Sequence, residues 1–329
     1  MENIVQLFRD FASIKVGVVG DVMLDTYIWG EVERISPEAP VPIVSLHHRE
    51  QRIGGAGNVA LNLQSLGAQA FVISVTGADE DAKCLNNLFA EKNISTAYCF
   101  ESINRITTNK TRIISRNQQM MRLDAEITND LNPKEQKQII KNFEQFIRKE
   151  KPQIVILEDY NKGVLAKEVI ENVIAVCKQN NILTAIDPKR KNFFAYKGVD
   201  IFKPNLKEVK EALNLLSVEV KVDALKKVHG ELHRRLQHRV SFITLSEKGV
   251  FYQEDENAQI IPTHIRNIAD VSGAGDTVIA VAALVYAARK NAFLMAEIAN
   301  IAGGLVCEEV GTAAIEKSKL LHECELLLC

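Results

Sequence analysis

Short apolar runs alternate with amphipathic stretches along most of the 329-residue chain. The runs are rich in Val and Ile and predict buried parallel β-strands; they cover residues 16–19, 70–75, 154–157, 182–186 and 240–245. Between them, residues 133–149 and 162–178 have helical spacing. This alternation predicts an α/β fold, a doubly wound sheet of mostly parallel strands with helices on both faces.

Two regions depart from the alternation and predict a small antiparallel β-sheet outside the main one. Residues 27–46 hold three of the eight prolines and the only tryptophan, Trp29. Residues 96–124 are polar and β-branched and lack a long apolar helix face. Surface hairpins are the simpler interpretation of both regions, and the pattern alone does not decide between the two.

Composition narrows the class of protein. With 47% hydrophobic residues and a net charge of −2, the chain gives no reason to expect nucleic acid or a membrane as a partner. No apolar run approaches the roughly 18 residues of a membrane span, and the first residues lack the features of a signal peptide. The six cysteines are scattered without a C-x-x-C pair, which indicates reduced thiols and a cytoplasmic protein.

Two glycine-containing segments carry the candidate chemistry: residues 54–60, with the letters GGAGNVA, and residues 270–276, with the letters DVSGAGD. The second runs into an apolar helical stretch, so its amides and the positive end of the helix dipole would face an anion. Asp276 adds a carboxylate at the same place. This combination suits phosphoryl transfer to a hydroxyl, with the amides holding the phosphoryl group and the carboxylate accepting the proton.

Both segments also have simpler interpretations. Asp276 could cap the helix N-terminus, which is one of the commonest positions of Asp. Residues 54–60 could be a glycine turn before a helix, and they also match the dinucleotide pattern G-x-G-x-x-[GA]. That match is weak, because the polar residues 47–52 stand where the pattern requires a buried apolar strand.

Taken together, the two segments resemble the paired signatures of the ribokinase-like (PfkB) carbohydrate kinases. Further motifs match in the order expected for that family: Gly20-Asp21, residues 203–208 (KPNLKE) and residues 244–249 (TLSEKG). The resemblance runs from about Val16 to Ile315, which is nearly the whole chain.

This resemblance implies one ribokinase-like kinase domain over residues 1–329, with lid segments at about 27–46 and 96–124 that form the small sheet over the sugar. It implies ATP as phosphoryl donor and Mg²⁺ as cofactor, and it leaves open whether a monovalent cation is also used. Asp276 would be the catalytic base, and the transferred phosphoryl group would be held by the amides of Gly273, Ala274, Gly275 and Asp276.

On the nucleotide side, the resemblance implies a second set of binding residues. They are Asn205, Leu206, Lys207, Glu208, Ser246 and Gly249. Asn205 and Glu208 would order the metal through water, because Mg²⁺ keeps much of its hydration shell.

The lid carries a local excess of positive charge. Residues 102–123 hold five basic residues and no acidic one. Lys110, Arg112 and Arg116 share parity, so on a strand they would project from one face. Their donors suit phosphate, and Asn117 and Gln118 add neutral donors nearby. This lid favours a sugar that already carries a phosphate, although a solvated charged face is the alternative.

Longer strings narrow the resemblance to the D-glycero-D-manno-heptose 7-phosphate kinases of lipopolysaccharide core biosynthesis. The strings are residues 34–42 (RISPEAPVP), 115–119 (SRNQQ), 122–124 (RLD) and 187–189 (DPK). This resemblance implies phosphorylation of the anomeric C1 hydroxyl to give the 1,7-bisphosphate on the route to ADP-heptose. The residues implied in substrate binding, besides the basic lid, are Asp21, Gly54, Gly55, Asn58, Asp187 and Lys189.

Two other functions stay open: a kinase for another sugar phosphate, such as fructose 1-phosphate or a tagatose phosphate, and a non-catalytic sugar-binding regulator on a kinase scaffold. Many heptose kinases continue into a nucleotidyltransferase domain marked by an H-x-G-H turn. The sequence contains no such turn, so we expect the separate kinase form, without that domain.

Three further expectations concern assembly and the remaining motifs. The lid segment holds exposed-looking apolar residues, among them Tyr27, Val41 and Ile43, which need a partner surface. In the resembled family the lids of two subunits often pair, so the resemblance implies a homodimer through the lid. His229 and His233 could hold a metal, but no third ligand is evident and a solvated helix face is the preferred interpretation. Residues 317–329 predict a terminal helix, and one face of it would carry Leu320, Leu321, Cys324 and Leu327.

Overall fold

A computed structural model of the chain describes residues 3–116, 118–264 and 266–328. In these ranges the strands are β1 (Lys15–Gly20), β2 (Val22–Ile35), β3 (Pro42–Gly55), β4 (Gln69–Ile73), β5 (Val75–Gly77), β6 (Phe100–Ser102), β7 (Asn109–Ser115), β8 (Gln118–Ala125), β9 (Ile154–Glu158), β10 (Leu183–Asp187), β11 (Ile201–Phe202), β12 (Val240–Thr244), β13 (Val250–Glu254) and β14 (Asn257–Ile261). The helices are α1 (Ile4–Asp10), α2 (Ala56–Ser65), α3 (Glu80–Glu91), α4 (Pro133–Glu150), α5 (Lys167–Gln179), α6 (Leu206–Leu213), α7 (Val222–Leu236), α8 (Ala274–Arg289), α9 (Ala292–Val306) and α10 (Lys317–Leu328).

The main sheet has eight strands in the order β14-β13-β12-β11-β10-β9-β1-β4. The six strands from β4 to β12 in this order run parallel, and β13 and β14 continue antiparallel from β12. The predicted parallel-rich, doubly wound sheet is confirmed. Four of the five predicted apolar runs each fall on one of its strands, whereas the run at 70–75 continues past β4 into β5, which pairs with β6 in a separate sheet. The pattern missed β11 because only two residues of it pair.

Alternating side chains of the central strands fill two separate cores, one on each face of the sheet. Val16 and Val18 of β1 pack on the face covered by α1, α2, α8, α9 and α10, whereas Val19 packs with α4, α5 and α7 on the other. Every second residue of a strand points to the same side, so a run that is apolar throughout must be buried on both faces. Two helical layers therefore enclose the sheet.

The lid is a second sheet of four strands in the order β3-β2-β7-β8. The pairs β2–β3 and β7–β8 are antiparallel, but β2 and β7 pair in parallel from Leu24 with Asn109 to Gly30 with Ser115. The prediction of an antiparallel sheet was therefore wrong at the central pairing. The chain passes through α2, β4 and α3 before β7, so that strand enters in the same direction as β2.

Two helix predictions need correction. The helix predicted from residue 162 begins at Lys167, because backbone amides between Tyr160 and Val164 bond the Asp21 carboxylate instead of forming a helical turn. In α10, Leu320 and Cys324 are fully buried, but Leu327 is exposed because the last turn runs beyond the core. In the described ranges, no helix is long and apolar enough to cross a membrane.

Candidate active site

Polar side chains gather where the central parallel strands end. The strand register aligns Gly20 at the end of β1 with Glu158 at the end of β9 and Asp187 at the end of β10. Parallel strands present their carboxyl ends at one edge of the sheet, which is where ligands bind in open α/β folds. Lys203 follows β11 at the same edge, and its amide bonds the carbonyl of Ile186.

The two glycine segments meet at this edge. Asn58 Nδ2 donates to Asp276 Oδ2 at 2.8 Å, although the two residues are 218 positions apart. A second bond joins the same helices, because Thr277 Oγ1 donates to Asn62 Oδ1 at 3.0 Å. The packing of α2 against α8 therefore creates one site from both segments.

The turn before α8 has the form that an anion site requires. Gly273 is the N-cap residue and has φ +80°, and a Cβ there would lie 2.9 Å from the side-chain Nδ2 of Asn58. Asp276 lies in the first turn and does not cap the helix, so that simpler interpretation is wrong. The amide of Ala274 already bonds Val271 O at 3.3 Å. The first-turn amides of Gly275 and Asp276 are those that a helix leaves without an intrahelical partner.

Asp276 has the surroundings of a base that works near neutral pH. Its side chain is buried, with 3% of the residue exposed. Tyr160 donates its hydroxyl proton to Oδ1 at 2.6 Å, on the opposite oxygen from Asn58. Burial raises the pKa of Asp276 to about 6, although the hydrogen bonds from Tyr160 and Asn58 lower it. The carboxylate is therefore ionised at pH 7 and still basic enough to accept a proton.

Two lysines form ion pairs with Asp187, close to Asp276. Lys203 Nζ lies 2.7 Å from Asp187 Oδ2, and Lys189 Nζ lies 3.2 Å from Oδ1. Burial favours the neutral acid, but these two ammonium groups hold the pKa of Asp187 below its ordinary value. A Cβ on Gly275 would lie 4.0 Å from Lys203 Nζ, so a buried positive charge adjoins the anion turn. Sequence analysis gave Lys203 no role of its own. The feature that could have indicated its place in the site is that it begins the KPNLKE motif at residues 203–208.

The predicted metal residues form a capping box at the start of α6. Asn205 Oδ1 accepts from the amide of Glu208, and Glu208 Oε2 accepts from the amide of Asn205, both at 2.9 Å. Glu208 Oε1 also pairs with Lys189 Nζ at 2.8 Å. Carboxylate and amide oxygens suit Mg²⁺, but these already have partners, so the fit is to a hydrated ion. Within the described residues, no group of three or more His, Cys, Asp or Glu side chains is placed to hold a metal.

A cavity of about 950 Å³ opens over this edge on the nucleotide side. Its lining includes all the predicted nucleotide residues except Glu208, namely Asn205, Leu206, Lys207, Ser246 and Gly249. The four residues of the anion turn, Gly273, Ala274, Gly275 and Asp276, line it as well. Gly249 has φ +92°, and a Cβ there would run into the carbonyl of Ile261. The volume suits a nucleotide. Sequence analysis gave no role to the apolar residues of the wall, among them Ile268, Val271 and Val278, although Val271 stands within the second glycine segment.

On the lid side, Asp25 was missed by sequence analysis. This carboxylate is buried on β2 and bonds Arg112 Nη1 at 2.5 Å. Gly54 lies against it, and a Cβ at that position would meet the Asp25 carboxylate, while Gly55 has φ +60°. Asp25 could have been identified from the sequence, because a carboxylate within an otherwise apolar strand is unusual. Lys110 also faces the site, with Nζ 5.1 Å from the centroid of the Tyr160 ring.

Asp21 has a different position from the one its predicted role requires. Its Oδ2 accepts from the amides of Tyr160 at 2.9 Å and Lys162 at 3.0 Å, and its Oδ1 accepts from Val164 at 3.0 Å. Both oxygens therefore hold the loop after β9. We revise the interpretation from a ligand of sugar hydroxyls to a residue that positions this loop.

The end of the lid hairpin does not follow the parity argument. Arg116 lies beyond β7 with φ +50°, and its side chain is 77% exposed, 3.8 Å from Glu31. The prediction that it shares a strand face with Lys110 and Arg112 was wrong, because the turn begins there. Gln118 opens β8 and is exposed. Asn117 lies outside the described residues.

Of the two histidines of α7, one packs against the sheet and the other is exposed. His229 is buried and its Nδ1 lies 2.9 Å from Ser241 Oγ. His233 is exposed, but its Nδ1 bonds the carbonyl of His238 at 2.8 Å. The solvated helix face predicted for these residues was wrong for His229, which the sequence could not show because its partner comes from β12.

Residues 13–319 match the profile of the pfkB family carbohydrate kinases. The chain belongs to this family. It is 40% identical over 301 residues to the bifunctional protein HldE of Aliarcobacter butzleri, covering 90% of this chain and 61% of that one. It is 35% identical over 321 residues to HldE of Geobacter sulfurreducens, covering 97% and 65%. The chain thus spans less than two thirds of the length of these curated relatives.

Solved structures show the same fold at low identity. Escherichia coli phosphofructokinase-2 in complex with potassium superposes with a TM-score of 0.80 at 18% identity, covering 96% of this chain and all of that one. Arabidopsis thaliana ribokinase complexed with ribose and ATP gives 0.71 at 17%, covering 94% and 98%. The ribokinase-like fold is therefore confirmed for this member of the pfkB family of carbohydrate kinases.

Proposed function

We propose that this kinase transfers the γ-phosphoryl group of ATP to the anomeric C1 hydroxyl of D-glycero-D-manno-heptose 7-phosphate. The observation that carries the substrate choice is Lys110. It is half-buried beside Tyr160, and among the described residues it has no ion-pair partner. Burial lowers the pKa of Lys110, because nothing nearby fully compensates its charge. A phosphate on the acceptor sugar would compensate it, and the HldE relatives support heptose as the sugar.

In the proposed reaction, Asp276 accepts the proton of the C1 hydroxyl as its oxygen attacks the γ-phosphorus. The new C1–O–P bond forms while the bond between the γ-phosphorus and the bridging oxygen of ADP breaks. Amides in the first turn of α8 stabilise the charge on the transferred group, and Lys203 adds a buried positive charge beside them. Asn58 and Tyr160 hold the base in place.

Asn205 and Glu208 would hold hydrated Mg²⁺, which supplies neutralisation of the β- and γ-phosphate charge. Lys189 pairs with both Glu208 and Asp187 and so connects the proposed metal residues to the end of β10. Asp25 and the strand end at Gly54 and Gly55 are the groups that would contact sugar hydroxyls, with glycine allowing the backbone to approach closely. A dependence on monovalent cations stays a prediction, tested by exchanging K⁺ for a bulky organic cation.

We further propose a homodimer through the lid. Large apolar side chains of the lid are exposed: Ile35, Val41, Leu46, Met120, Met121 and Leu123. Tyr27, expected among them, is instead buried beneath Arg52 and Arg112. Such a patch is unusual for a monomer. Pairing of two lids would cover it and would bring Arg116 and Gln118, at the exposed hairpin tip, to the partner subunit.

The test is ADP release measured with a panel of sugars at fixed ATP. The panel contains heptose 7-phosphate, unphosphorylated heptose, fructose 1-phosphate, fructose 6-phosphate, tagatose 6-phosphate and ribose. The proposal predicts the highest kcat/KM for heptose 7-phosphate. Equal kcat/KM for heptose and heptose 7-phosphate would contradict the phosphate site, and a higher value for another sugar phosphate would contradict the choice of sugar.

A further inference from the structure

Tyr160 contacts the catalytic base but belongs to none of the motifs above. It follows β9, and its hydroxyl donates to Asp276 Oδ1 at 2.6 Å. Two ammonium groups approach its ring, with Lys110 Nζ 5.1 Å and Lys189 Nζ 5.7 Å from the centroid. One lysine comes from the lid and the other from the nucleotide side. The ring therefore lies where the lid, the nucleotide cavity and the base meet.

The backbone around Tyr160 is fixed by a buried carboxylate. Asp21, directly after β1, accepts the amides of Tyr160, Lys162 and Val164. The loop turns sharply, with φ +55° at Asn161 and φ +95° at Gly163. These contacts leave the loop little freedom, so the place of the Tyr160 hydroxyl depends on the end of β1.

We propose that Tyr160 is a positioning residue that keeps Asp276 oriented and ionised, and that Asp21 acts through Tyr160 by holding its loop. This inference rests on the proposed role of Asp276 as the base. It gives Asp21 a function without contact to the sugar, and it explains why a tyrosine adjoins the reacting centre.

The charges around Asp276 show why a donor matters there. Burial and the carboxylate of Asp187 favour the protonated acid, whereas Lys203 and the two hydrogen-bond donors favour the carboxylate. Burial and the charge of Asp187 also raise the pKa of the neighbouring Glu158 well above its ordinary value. Burial and Asp276 likewise raise the pKa of Tyr160, which keeps the phenol a donor. Without that donor, the balance at Asp276 shifts towards the acid.

A carboxyl titration tests this without any substrate. The protein is labelled with ¹³C at the aspartate carboxyl carbons, and Asp276→Asn identifies the signal. Tyr160→Phe is expected to raise the pKa of Asp276 by about one unit or more, the scale of a hydrogen bond to a charged group. Tyr196→Phe is the matched control, since its buried hydroxyl donates to Asp159 Oδ2 at 2.7 Å. The control should leave the pKa of Asp276 unchanged.

Kinetics add a second readout. In Tyr160→Phe, the acidic limb of the plot of kcat/KM against pH should move to higher pH, so that activity is lost at pH 6 and largely restored at pH 8. Asp21→Asn should move it in the same direction, and combining both changes should move it no further than Tyr160→Phe alone. An unchanged pKa of Asp276 in Tyr160→Phe, or an equal shift in Tyr196→Phe, would overturn the inference. A parent enzyme without turnover on any sugar phosphate would contradict the proposed function, while the carboxyl titration would still decide the role of Tyr160.

Discussion

At the scale of single residues, the site depends on charges that the fold removes from water. Asp276 is buried with two donors, Asp187 is buried with two lysines, and Lys110 is half-buried and forms no ion pair with any described residue. Burial of a charge is costly unless a partner compensates it, and the first two groups have such partners. The proposed function supplies the partner of Lys110 as the phosphate of the bound sugar.

The role of Asp276 predicts a large loss on neutral replacement. Asp276→Asn should lower kcat by roughly 10²-fold or more, the usual scale for a general base. ATP affinity should change little, because the amides of α8 remain, and calorimetric titration of the variant provides that control. Near-native kcat in steady-state assays would show that another group takes the proton.

Lys110 predicts a loss confined to the sugar phosphate. Lys110→Met should raise KM for heptose 7-phosphate by roughly 10- to 100-fold, the equivalent of about 1.5–3 kcal/mol for a bond to a charged group. KM for ATP should stay the same. Arg122→Met is the control, because Arg122 is on the same hairpin but pairs with Asp124 at the surface. If both variants behaved alike, Lys110 would not be the phosphate ligand.

At the scale of elements, helix starts and strand ends place the chemistry. Sequence patterns predicted the buried strands and α4 because period and propensity are local properties. They did not predict that α5 starts late, since the cause is Asp21, far away in the chain. The same limit hid Asp25 and Tyr160. Each gains its meaning from partners on other elements, Arg112 for one and Asp276 for the other.

The N-terminus of α8 gives the prediction at this scale. Gly273→Ala should lower kcat by at least about 10-fold, because φ +80° is strained for alanine and its Cβ would press on Asn58. Gly198→Ala is the matched control, with φ +77° but with no atom of the described residues within 4 Å of an added Cβ. That variant should lose some stability and keep its kcat. A similar loss of kcat in both would mean that backbone strain alone is responsible.

At the scale of the whole molecule, two distant glycine segments form one site because α2 and α8 pack on the same face of the sheet. The ordered motifs sufficed to predict the fold family and this convergence. The direction of β7 in the lid and the turn at Arg116 could not be predicted, because they depend on how the chain returns to the lid. Strand parity alone therefore placed Arg116 on the face of Lys110 and Arg112, whereas it lies in the turn after β7.

The lid predicts a dimer that charge can break. Leu46→Glu should shift the protein towards monomer in light scattering and raise KM for the sugar, since Leu46 is 63% exposed within the apolar patch. Leu216→Glu is the control, because Leu216 is fully exposed outside the lid. A parent protein that is monomeric at micromolar concentration would rule out the proposed arrangement.

The central claim is phosphorylation of a phosphorylated heptose at C1, and ³¹P NMR of the product tests it most directly. With heptose 7-phosphate and ATP, the account predicts that ADP forms together with one sugar carrying two phosphates, one of them coupled to the anomeric proton. With Asp276→Asn, neither the ADP signals nor the signal of the phosphate at C1 should appear on the same time scale. A second phosphate at any other position, or unchanged heptose 7-phosphate beside consumed ATP, would contradict the account.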